Sequence, residues 1–308
     1  MHTIKKHRRW WILYGVVLVL FTVYVLLDTF VIPRRYATVQ SSTAHGSLSD
    51  QSSSGWNAAA TDSFSSTNTS YDDGSVSITL TTSRFYDTTV YVADITLADA
   101  GALKTALAHN TYGKNITETT SSMAESHNAV LAINGDYYGA QNRGYVIRNG
   151  VVYRDTAASA DQEDLVIGSD GSFSLITEGE TTAQELLDSG AWQVLSFGPG
   201  LLENGEITVG THTDVDKAMA SNPRTAIGQL SPLHYVMVVA DGRTDNSAGL
   251  SLYELAEFMQ GLGVTTAYNL DGGGSSTLYF NGAVINNPTT NGKTISERKV
   301  SDIVYIGA

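Results

Sequence analysis

The chain has 308 residues, 42% of them hydrophobic, with 29 glycines, no cysteine and a formal net charge of −13. The missing cysteines exclude disulfides and thiolate metal centres, and the acid excess argues against a broad nucleic-acid interface, which needs clustered cations. The charge is uneven: residues 1–35 hold six Lys and Arg against Asp28 alone, so the acid excess lies beyond them. In chain order, Trp10 to Leu27 is an 18-residue run without formal charge, long enough to span a bilayer core. Basic residues precede it, so the positive-inside rule predicts a cytoplasmic tail over 1–9 and a transmembrane anchor over 10–32. The rest of the chain is then extracytoplasmic, held at the cell membrane by a single pass. A cleaved signal peptide is the rival reading, with only a poor small-x-small site around Ala37. The absence of cysteine suits a bacterial protein that does without disulfides outside the cytoplasm.

Residues 33–72 are rich in Ser and Thr and predict a flexible linker, with Trp56 and Phe64 as candidates to dock on the domain that follows at 73–308. "VSITLTT" (76–82) and "TTVYVADITL" (88–97) alternate and are β-branched, as strands are. "DAGALKTALAHN" (99–110) and "TTSSMAESHN" (119–128) read as short helices, "AVLAIN" (129–134) as a buried strand ending at Gly135. "DLVIGSDGSFSLIT" (164–177) predicts a hairpin around Asp170-Gly171. A capped helix follows at 181–190, then a strand pair from "AIGQL" and "LHYVMVVADG". In "SLYELAEFMQGLG" (251–263), Ser251 and Glu254 make a capping box and Gly261 or Gly263 ends the helix. Strand-rich segments mixed with a few helices, without regular alternation, predict an α+β fold: a mixed, mainly antiparallel sheet domain with a few packed helices.

Four places pair a strand end with charge and a tight turn: Asn134 to Gly139, Asn222-Pro223-Arg224-Thr225, Asp241-Gly242-Arg243 and Asp271 to Thr277. A rigid scaffold concentrates reactive groups at such a rim. The three glycines behind Asp271 let several backbone N–H groups curl into one anion nest, and Ser275, Ser276 and Thr277 add donors. Arg148, Arg224, Arg243 and Arg298 supply guanidinium forks for a phosphate. His212, Asp214 and Asp216 have ligand-like spacing, although a solvated loop is the plainer reading. "GGGSS" lacks the closing glycine of a nucleophile elbow, and it matches neither a P-loop nor a dinucleotide fingerprint.

Taken together, "AINGDYYG", "IRNG", "NPRTAIG", "ADGR", "GLSLYELAEFM", "NLDGGGSSTLYFNG" and "RKVSDIVYIG" resemble the phosphodiester glycosidase family over roughly residues 75–308. One departure is Asp136-Tyr137-Tyr138, where many members carry Gly-Phe-Phe. The resemblance implies hydrolysis of the bond between an anomeric carbon and a phosphodiester, releasing free sugar and a phosphomonoester, here expected in an envelope or exopolysaccharide glycan. It implies Asp271 as base or nucleophile, Asp241 as second carboxylate, Asn134 as substrate-orienting group and Arg224 as phosphate clamp. The remaining contacts to substrate are expected from Asp136, Arg148, Thr225, Arg243, Asn269, Gly272, Gly273, Gly274, Ser275, Ser276, Thr277 and Arg298. No cofactor is expected to be required. Two other readings stay open: a non-catalytic glycan-binding module at the cell surface, and a domain braced by structural calcium on Asp136, Asp241 and Asp271.

Overall fold

Strands such as Ala129–Asn134 and His234–Ala240 are apolar at both parities because both of their faces are buried. Along the second, Tyr235, Met237 and Val239 point into a central core, while Val236, Val238 and Ala240 lie beneath the helix Leu252–Gly261. The computed structural model that shows this describes residues 2–39, 65–213 and 221–307.

Three antiparallel sheets meet on that central core. The largest has nine strands. Its middle runs Thr266–Leu270, Arg224–Ser231, His234–Ala240, Thr88–Leu97 and Val76–Phe85, each hydrogen-bonded to the next. A five-stranded sheet centres on Ala129–Asn134, flanked by Leu278–Phe280 and Asp302–Gly307. Another five-stranded sheet contains Val146–Arg148, Ala191–Leu195 and the hairpin Glu163–Gly168/Phe173–Thr177. Each sheet turns one face inward, contributing Ile227 and Tyr268, Leu131 and Val304, or Leu165 and Leu195. A helix covers each outer face: Leu252–Gly261 on the first, Thr120–Ser126 on the second and Ala183–Asp188 on the third. The fold is thus α+β with mostly antiparallel sheets. The capping box is formed, with the Glu254 backbone N donating to Ser251 Oγ at 3.2 Å and the Ser251 N donating to Glu254 Oε2 at 2.8 Å. Such a cap is worth about 1 kcal/mol.

Two expectations are corrected. The segment 99–110 is not a helix: single helical turns at Ala100–Ala102 and Ala108–Asn110 flank the strand Leu103–Leu107. That strand pairs with Asp302–Gly307, and a sheet edge that needs a partner overrides the mild helix propensity of Ala and Leu. Residues 33–72 are not a uniform tether either. Arg34–Thr38 pairs with Thr111–Lys114, and Ser65–Ser66 and Ser70–Asp72 extend the nine-stranded sheet. Trp56 and Phe64 lie outside the described residues, as do Asp214 and Asp216. At the N-terminus, the helix His2–Phe30 contains an apolar stretch, Leu13–Phe30, of membrane-spanning length that is not buried in the protein.

Candidate active site

The sheet register explains why the scattered motifs converge. Thr225 pairs with Leu270 and Arg224 with Ala240, so Arg224, Asp241 and Asp271 emerge at one end of the nine-stranded sheet. Asn134 arrives there from the second sheet and bolts the two together. Its Nδ2 donates to the Asp271 carbonyl at 2.6 Å, and its Oδ1 accepts from Thr225 Oγ1 at 2.8 Å and the Thr277 N at 3.3 Å.

A cleft of about 920 Å³ opens over this end, within the range of small-molecule sites. Asp271 stands on its wall with Asn222, Arg224, Arg243, Arg298, Gly272 and Gly273. The Asp271 side chain is 12% exposed, and its Oδ2 accepts from Ser275 Oγ at 2.6 Å and Arg298 Nη2 at 2.8 Å. Burial pushes its carboxyl above the usual range, while Arg298 and Ser275 oppose that rise. Arg243 Nη2 donates to Asn222 Oδ1 at 2.9 Å and Nη1 to the Thr290 carbonyl at 2.7 Å. Burial and the neighbouring Arg298 push the Arg243 guanidinium down. Arg224 Nε donates to the Leu250 carbonyl at 2.9 Å. Three guanidinium groups beside one carboxylate leave this wall cationic, which suits a dianionic or monoanionic phosphate.

The glycines allow close approach. A Cβ on Gly274 would lie 2.2 Å from Thr290 Oγ1, and one on Gly273, at φ +62, would lie 2.9 Å from Arg243 Nη2. The Gly273 N donates to the Pro223 carbonyl, and the Ser275 and Ser276 amides close the turn on itself. These three amides are therefore spent inside the protein.

Several expected contact residues sit behind the wall instead of on it. Arg148 is 2% exposed. Its Nη2 donates to Asp136 Oδ2 at 2.8 Å and Asp302 Oδ2 at 2.7 Å, while Nη1 donates to the Ile147 and Val194 carbonyls. Asp136 also accepts from the Tyr138 and Ser196 amides at 2.9 Å each. Asp241 accepts from the Asn287 N at 2.9 Å, Asn287 Nδ2 at 2.8 Å and Tyr91 Oη at 3.3 Å, and thereby fastens the 286–287 loop. Asn269 Nδ2 donates to the Gly198 carbonyl at 2.7 Å. Thr225, Ser276 and Thr277 are buried beneath the turn. Asp136, Asp241 and Asp271 each bind different groups. Among the described residues no cluster of three His, Asp or Glu is placed to hold a metal ion.

The cleft is also lined by Tyr137, Asn142, Arg143, Asp161, Gln162 and Phe197; Tyr137 lies in "AINGDYYG", whereas the others come from loops that carry no motif. Asp302 was equally silent as the partner of Arg148, although an acid opening the apolar run "DIVYIG" is itself a signal.

The fold and cleft define an α+β protein with an acid set among arginines at a sheet end. A family model for phosphodiester glycosidase matches residues 127–307, and the chain belongs to that family. It is 32% identical over 180 residues to a Bacillus subtilis SPbeta prophage-derived uncharacterized protein, YomE, covering 57% of this chain and 28% of that one. It is 30% identical over 186 residues to human N-acetylglucosamine-1-phosphodiester alpha-N-acetylglucosaminidase, covering 56% of this chain and 36% of the human protein. The matched part thus spans roughly a third of these relatives. The catalytic domain of the zebrafish enzyme of that name, solved auto-inhibited by its pro-peptide, superposes with a TM-score of 0.59 at 22% identity, over 76% of this chain and 83% of that one. A hypothetical protein from Synechocystis gives 0.55 at 13% identity, over 75% of this chain and 62% of that one.

Proposed function

We propose that the chain hydrolyses a sugar-1-phosphodiester in a cell-envelope or exopolysaccharide glycan, outside the cytoplasm and anchored by its N-terminal helix. The observation that carries this reading is the Asp271 carboxylate on a cleft wall with Arg224, Arg243 and Arg298. The arginines receive the phosphate, and Asp271 faces the anomeric carbon, where it supports an oxocarbenium-like state or activates water. A phosphate leaving group needs less protonation than an alcohol, so one carboxylate with cationic stabilisation suffices. Asp241, fastened to the 286–287 loop, holds that loop rather than acting as a second acid. Asn134 fixes the position of Asp271 through its backbone carbonyl. The reaction as drawn uses no metal or cofactor.

The test is release of free sugar from a panel of synthetic sugar-1-phosphodiesters by the full chain in detergent. Sugar release supports the reading. Binding without release across the panel assigns the cleft to a glycan-binding module instead.

The electrostatics add a second expected result. Arg298→Gln removes the cation that holds the Asp271 carboxyl down against burial. The carboxyl then keeps its proton to higher pH, so an enzyme that needs it ionised loses its low-pH activity earlier. The acid limb of the kcat/KM profile should move upward in Arg298→Gln. A limb that stays in place would detach Asp271 from the rate.

A further inference from the structure

The polar stretch from 40 to 64 does not lie between the apolar helix and the domain. Only Val31, Ile32 and Pro33 separate the helix end at Phe30 from the strand Arg34–Thr38, which is already part of the folded body. There Arg34 faces Lys114 and Thr38 faces Thr111 in antiparallel register. The approach is close enough that a Cβ on Gly113 would lie 2.0 Å from the Arg34 carbonyl oxygen. Tyr36 packs on Tyr112 with ring centroids 5.9 Å apart, and Tyr112 stacks on Tyr138 at 5.4 Å.

One residue then joins the helix end to the cleft rim. Asn115 Nδ2 donates to the Thr29 carbonyl at 3.2 Å and the Ile32 carbonyl at 3.3 Å. Its backbone N donates to the Gly139 carbonyl at 2.9 Å, in the turn that leads directly to Gln141, Asn142 and Arg143 on the rim. Next to it, Lys114 Nζ donates to Asn142 Oδ1 at 3.2 Å. Bridged by a single asparagine, the helix end and the rim turn are about 10 Å apart. That is comparable with the headgroup layer of one leaflet, roughly 5–8 Å. Chain cleavage near Ala37 would cut the docking strand, so the same contacts favour a retained helix.

We infer that this strand straps the cleft against the bilayer, and that the substrate is a glycosyl phosphodiester whose second ester is to a membrane-embedded lipid alcohol. The inference rests on the hydrolytic reading of the cleft. Water adds its oxygen to the anomeric carbon as the bond from that carbon to the phosphate oxygen breaks. The phosphate oxygen keeps the electron pair, the displaced proton passes to solvent, and the phosphomonoester stays on the lipid. A soluble polymer would be met better by a domain on a long leash. A strap this short instead confines the cleft to the plane in which a lipid-borne headgroup diffuses, and raises its effective concentration.

The experiment uses the full chain in phosphatidylcholine vesicles and the sugar released fastest in the soluble assay. That sugar-1-phosphate is presented either as a dialkylglycerol diester in the same vesicles or as a methyl diester in solution. Wild type should hydrolyse the embedded diester at least ~10-fold faster at matched bulk concentration, because confinement raises its effective concentration. Gly113→Val, which expels the docking strand and leaves the domain on a longer leash, should lower that preference and leave methyl-diester hydrolysis unchanged. Should Gly113→Val misfold and lose both activities, Asn115→Gly decides: it removes the Nδ2 bridge to the helix end, tolerates the positive φ of this position and should lower the preference alone. Equal rates on the two diesters in wild type, or a full preference retained in Asn115→Gly, would overturn the inference while leaving the hydrolytic reading intact. Failure of wild type on both diesters would sink the hydrolytic reading, and this one with it.

Discussion

Replacing Asp271 with Asn lowers turnover of the sugar phosphodiester by at least ~100-fold, the lower end for losing a general acid or base, while substrate still binds. The amide keeps the side chain's shape and its hydrogen-bond capacity toward Ser275 and Arg298. Only the negative charge is lost, and in the proposed reaction that charge opposes the positive anomeric carbon or draws the proton from water. Binding should persist because Arg224, Arg243 and Arg298, the proposed phosphate ligands, stay in place on the cleft. The fold should not weaken, since burial already disfavours the ionised carboxyl. The measurement is kcat with direct binding of a non-hydrolysable analogue and thermal unfolding in parallel. Normal turnover in a folded Asp271→Asn variant would remove Asp271 from the chemistry.

Replacing Arg148 with Met destabilises the protein by about 3–5 kcal/mol, the usual cost of stripping the partner from buried charges. Arg148 is the shared partner of Asp136 and Asp302, whose side chains are fully buried. Asp302 is already pushed up to about 8, first by burial and then by Asp136, with Arg148 opposing both. Its folded form therefore binds a proton more tightly than the unfolded chain does. The stability it contributes is full below the unfolded carboxyl pKa and is lost as pH rises toward about 8. Asp302→Asn should flatten stability across that window, and Arg148→Met should steepen the loss at its alkaline end. Urea unfolding at several pH values measures both. An Arg148→Met variant within ~1 kcal/mol of wild type would show that water or a relaxed backbone takes over the charge.

Both results turn on residues whose types were legible in the chain and whose roles were not. Asp271, Arg224, Arg243 and Arg298 stand out as charges at strand ends, and the structure gathers them on one cleft. Arg148, Asp136 and Asp241 carry the same local signature, yet the first two pair with each other and the third holds a loop. Nothing within a few residues separates the groups, because what distinguishes them is a partner 154 residues away for Arg148 and 46 for Asp241. Asn142, Gln162 and Phe197 are silent for the same reason: they matter only where their loops land.

The sequence alone determined the parts governed by local chemistry. The apolar N-terminal helix follows from uncharged length, the helix within 251–263 from its capping box, and the hairpin over 164–177 from Asp170-Gly171. The motif set was enough to point to the family. Tertiary structure decided the rest. Residues 103–107 became a strand because the edge of Asp302–Gly307 needed hydrogen bonds that a helix could not give. Residues 34–38 left the linker for the folded body because Thr111–Lys114 presented them an open edge. Backbone pairing and the burial of charge are settled between segments far apart in the chain, and no local pattern encodes which segment will be there.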